Sequence, residues 1–137
     1  MRYLKYPKRK IRHFLSIPFI WAVLIPLLIL DFFLELYHRV CFPLYGIPKV
    51  DRKKYIRFDR MKLPYLTPFQ KISCAYCSYA NGLLHYASTV AGETEKYWCG
   101  IKHEQVQGFK SQPHQKDFLP YADEKAFKEF KKEKISK

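Results

Sequence analysis

At 137 residues the chain has room for one ordinary domain, and its formal charge of +13 at first looks like the footprint of a nucleic-acid binder. The placement of the charge argues otherwise. Residues 1–13 carry six Lys/Arg and no acid, residues 38–73 carry nine against two Asp, and residues 74–104 are nearly neutral, so the positive charge brackets an apolar stretch.

Bracketing of this kind suits a membrane surface, where each Lys or Arg near anionic headgroups contributes about 1 kcal/mol. The aromatics Tyr3, Tyr6, Phe14, Tyr37, Phe42, Tyr45, Tyr55 and Phe58 lie beside the apolar stretch or among the cations, as amphipathic rings do at an interface. No RNP-like or Gly-clamp pattern accompanies them, which disfavours nucleic acid as the partner.

In chain order, residues 1–13 form a basic flank and residues 14–37 an expected membrane helix. Phe14 to Leu30 holds no charge, about 25 Å of helix at roughly 1.5 Å per residue, and continuation to Tyr37 reaches the thickness of a bilayer core. A cleavable signal peptide fits poorly, because the apolar region is long, Pro18 and Pro26 interrupt it and no small-residue cleavage site follows. Both flanks are basic, so the positive-inside rule leaves two arrangements open: a single span kinked at Pro26, which is the favoured one, or a Pro-broken insertion that returns to its starting face.

Asp31, Glu35 and His38 share one face of that helix, within about 60° of one another. Glu-x-x-His is half of a di-iron or di-manganese motif of helical bundles. Pairing of the carboxylates with Arg39 and Lys49 where the helix leaves the membrane is the simpler expectation.

Residues 38–70 read as a basic linker punctuated by Pro43, Pro48, Pro64 and Pro68, with Lys53 to Lys62 as an interfacial strap. Residues 71–137 follow as a small module. Cys74-x2-Cys77 and Cys99-x3-His103, 21 residues apart, have the spacing of a closed Cys3His zinc site, in which metal replaces missing core. Three alternatives compete: iron with Cys41 as fourth thiolate, a Cys74/Cys77 redox pair, and two disulfides. His85 is a possible substitute ligand, and Tyr97 and Trp98 are expected to shield the thiolates. Tyr79 to Val90 is expected to be helical and to stop at Ala91-Gly92, while Asp123 to Lys134, acids first and lysines last, is expected to form a C-terminal helix docked through Phe127 and Phe130.

The fold expected is therefore mostly α with irregular segments: one N-terminal membrane helix and a small metal-stapled module like a zinc ribbon or knuckle. No Gly-rich phosphate loop or Ser-His-Asp set is visible, which points to an accessory or assembly subunit of a larger membrane protein complex; a membrane enzyme component with a Cys-ligated iron centre is the alternative. The run from YHRVCFPLYGIP through both Cys pairs resembles a group of small bacterial membrane-anchored proteins that have no assigned activity. That resemblance implies a bacterial protein, and the basic flanks, both of which favour the cytoplasm, lead to the expectation of the cytoplasmic membrane with the module on the cytoplasmic side.

Overall fold

A computed structural model describes residues 10–135, so residues 1–9 of the basic flank lie outside the described part. Four helices account for most of it: α1 (Lys10–Ala22), α2 (Leu24–Tyr45), α3 (Pro68–Trp98) and α4 (Glu124–Ile135). The described residues contain no strand beyond an isolated parallel bridge between Ile101 and Leu119.

The apolar helix is longer than its uncharged core suggested, because α1 and α2 meet at the single residue Val23. Pro26 lacks the N–H that would bond the Ala22 carbonyl, and its ring crowds that carbonyl, which breaks the helical hydrogen-bond ladder. Val23 keeps right-handed helical angles (φ −63°, ψ −21°), so the junction does not reverse the chain. Residues 38–45, expected in the linker, instead complete α2. Gly46 ends the helix in the left-handed region (φ 68°), with its N–H on the Pro43 carbonyl and the Ile47 N–H on that of Phe42.

Residues 46–67 run back along the helices as a strap with two 3-10 turns, Arg52–Lys54 and Asp59–Lys62. A Thr-Pro-x-Gln capping box then opens α3: the Thr67 hydroxyl accepts from Gln70 N–H (3.3 Å) and the Gln70 side chain accepts from Thr67 N–H (2.9 Å), with Pro68 as first helical residue.

One expectation for this region is corrected: Ala91-Gly92 does not end the helix, which runs on to Trp98 and also contains Cys74 and Cys77. Both α3 glycines sit where another group presses on the helix. A Cβ on Gly82 would lie 2.6 Å from the Tyr55 carbonyl oxygen, and one on Gly92 would lie 2.8 Å from the His114 ring. Absence of a side chain here serves close packing, which outweighs the helix propensity lost.

The chain divides within α3 into two compact units, Met1–Tyr86 and Ala87–Lys137. In the first, Leu27, Phe42, Leu83 and Tyr86 are buried. In the second, Val90 and Phe118 are buried, Leu119 N–H bonds the Gly100 carbonyl (2.6 Å), and the Asp123 side chain caps α4 through Ala126 N–H (2.9 Å).

Gly82→Ala tests the contact between strap and helix. The strap backbone must retreat, at a cost of about 2 kcal/mol. Faster proteolysis within residues 50–62, with helix content unchanged by circular dichroism, is the expected result.

Candidate functional site

The buried face of α2 is set by helical spacing: Leu27, Asp31, Glu35, His38 and Phe42 recur every three or four residues and turn toward the strap and α3. Three of the five are polar. The opposite face is apolar and exposed, through Ile25, Leu28, Ile29, Phe32, Phe33, Leu36, Val40 and Leu44. A helix in water shows the reverse pattern, so α2 is inside out.

Arg52 organises the polar side. Its guanidinium holds Asp31 with two bonds (Nη1 to Oδ1, 2.6 Å; Nη2 to Oδ2, 2.7 Å) and reaches Glu35 Oε2 at 3.3 Å. Arg39 Nε bonds the other Glu35 oxygen (3.1 Å), and the Tyr79 hydroxyl donates to Asp31 Oδ2 (2.8 Å). The partner expected from sequence, Lys49, is replaced by Arg52, whose planar fork matches a carboxylate as an ammonium cannot. Hydrogen bonds to Asp31 hold the Arg52 guanidinium still more firmly in its charged form.

His38 continues the network into the core. Its Nε2 lies 2.9 Å from Val50 N–H, which can only donate, so Nε2 accepts and the ring proton belongs on Nδ1. Nδ1–H then donates to the Tyr86 oxygen (3.0 Å), and the Tyr86 hydroxyl donates to Glu35 Oε2 (3.4 Å). Burial first, and the neighbouring carboxylates second, push the phenols of both Tyr79 and Tyr86 up to about 12.

Every carboxylate oxygen of Asp31 and Glu35 therefore already accepts a bond from a protein group. The carboxylates of the Glu-x-x-His face are thus engaged in pairing, and the arrangement neutralises charge where an apolar helix could not otherwise hold it.

The Cys/His constellation is divided between the two units. Cys74 and Cys77, one helical turn apart on α3, line a groove of about 760 Å³ between α1 and the start of α3, with Ile17, Trp21 and Phe69 in its walls. The Tyr76 hydroxyl closes part of it by donating to the Ile20 carbonyl (2.8 Å). Cys99 and His103 belong to the second unit, where the His103 ring packs on Phe109 (5.5 Å). All four cysteines are free thiols, and the described residues gather no three His, Cys, Asp or Glu side chains able to share a metal ion. The residues from Cys77 to Trp98 are helical. Cys41 sits half-buried on α2, and the His85 ring packs edge-on against Tyr55 (5.1 Å).

In the second unit Glu95 takes the role of a connector, accepting from Gln115 (2.7 Å) and bonding His114 Nε2 (2.5 Å). The bond to His114 holds the Glu95 carboxyl below the usual carboxylate range. Its contribution to stability is thus complete above the unfolded value, about 4.3, and is lost as pH falls through the folded one.

No protein-family model, curated protein or solved structure matches this chain.

The network makes two checkable statements. Arg52→Ala should destabilise the first unit by about 2 kcal/mol, between the values for exposed and sealed pairs, and Asp31→Ala on top of it should add much less than Asp31→Ala alone. A double-mutant cycle by thermal unfolding reads this coupling. In an absorbance titration, two of the eleven tyrosines should ionise late, near pH 12 instead of 10, and Tyr79→Phe should remove one of them. Because both phenols are raised, their share of the stability is complete below pH 10 and fades as pH climbs through about 12.

Proposed function

We propose that this chain is a membrane-held, non-catalytic accessory subunit of a larger membrane protein complex. The observation that carries the reading is the inverted polarity of α2, with Asp31, Glu35 and His38 turned inward and an outward face that is apolar apart from Arg39. Ile11–Tyr45 is also the one helical segment among the described residues long and apolar enough to cross a membrane, by length and composition. Exposure of so much contiguous apolar surface costs about 25 cal/mol per Å² in water, so a lipid or protein environment is required to cover it.

The accessory role is supported by the chemistry of the polar cluster. Asp31, Glu35, His38, Tyr79 and Tyr86 are bonded to one another and to Arg52, a pattern that holds segments together. The second unit adds exposed Tyr97, Trp98 and Val106, side chains of the kind that protein partners cover.

Fractionation and mass measurement test both halves of the proposal. The chain should sediment with membranes and, after gentle solubilisation, run in a particle containing other polypeptides, well above its own 16.5 kDa. Phe33→Asp with Leu36→Asp should shift it to the soluble fraction, each carboxylate opposing burial in lipid by about 2–3 kcal/mol. Recovery as a free monomer, or a wild-type distribution for the double variant, contradicts the proposal.

A further inference from the structure

We propose that α1 and α2 lie in the plane of one leaflet of an anionic bilayer, apolar face down and strap up, instead of crossing it. This rests on the membrane-held reading and adds the surface, the partner and the topology.

The register of the strap carries the argument. Val50 bonds His38, Arg52 bonds Asp31, and Arg60 donates to Ser78 (2.8 Å), one residue from Tyr79, which itself bonds Asp31. The chain leaving α2 therefore turns back and runs level with the apolar helix. Along this course Lys53, Lys54, Arg57, Arg60 and Lys62 are exposed, and none of their side chains forms an ion pair with a carboxylate among the described residues.

A helix standing upright in the membrane would carry these five cations into the hydrocarbon beside its own middle, where exposed charge is least tolerated. Laid flat, the same structure separates its two chemistries by depth. A helix is about 10 Å across and an interfacial helix sinks about 5–10 Å, so the strap above α2 falls at the level of the phosphates. Lys and Arg there meet complementary charge, which identifies an anionic leaflet as the occupant of the apolar face.

Two further observations agree. The 35 residues from Ile11 to Tyr45 make about 52 Å of helix, well beyond a hydrocarbon core of about 30 Å, a mismatch that does not arise in the plane. The basic residues of 1–13 and of 38–73 then share one side of the membrane, as their common charge demands.

The test uses the full chain with an epitope tag at each terminus, synthesised in the presence of sealed vesicles of mixed phosphatidylcholine and phosphatidylglycerol. Expected are flotation with these vesicles, weaker flotation with phosphatidylcholine alone, and loss of both tags to protease added outside. Lys53→Glu, Lys54→Glu and Arg57→Glu together, all at exposed positions, should lower the affinity for the anionic vesicles about tenfold or more. Protection of either tag until detergent is added means that the chain crosses; this overturns the in-plane arrangement and leaves the membrane-held reading intact. Absence from both kinds of vesicle overturns both, and a stable dimer that ignores lipid assigns the apolar face to a second copy instead.

Discussion

The bonds from Arg52 to Asp31 and Glu35 decide how the rest of the first unit is arranged. Two carboxylates on an apolar helix are tolerable only if a cation reaches them and water is not needed to finish the job. Arg52 arrives from 17 and 21 residues further along the chain, so its pairing closes the loop after α2 and fixes the direction of the strap. Tyr79 and Tyr86 then add one hydrogen bond each from α3, to Asp31 Oδ2 and Glu35 Oε2. The two carboxylates thus tie the strap and α3 to α2.

That constraint also explains how so small a unit holds together with few wholly buried apolar residues. Its interior is a hydrogen-bonded network backed by Leu27, Phe42 and Leu83, and no buried side-chain polar atom among the described residues lacks a partner. Satisfied networks of this kind specify one arrangement strongly, because each member left alone would be costly in a low-dielectric setting. The apolar side chains that a water-soluble unit would place inside are available for the outer surface. Inverted polarity and the polar core are the same feature seen from two sides.

Glycine plays a related part on α3. Gly82 lets the strap backbone lie directly on the helix, and Gly92 receives the His114 ring, so the helix serves as the platform for both return segments. Each segment is held by a charged or imidazole group bonded to a carboxylate, Arg52 in one unit and His114 in the other.

Much of the local structure was legible in the sequence. The uncharged run after Phe14 announced the apolar helix, the shared face of Asp31, Glu35 and His38 followed from helical periodicity, and the acid-first, lysine-last pattern located α4. The Thr67-Pro68-x-Gln70 box that starts α3 is also a signal carried by neighbouring residues. Periodicity and capping are properties of neighbouring residues, and sequence by itself determines them. Which cation meets Asp31, and whether 21 residues between two Cys pairs fold back or extend as one helix, depend on contacts between residues far apart in the chain. Only the tertiary structure decided those points: Arg52 fits because the strap reverses beside α2, and α3 runs on as helix to Trp98 because Gly92, expected to stop it, instead receives the His114 ring on its bare backbone.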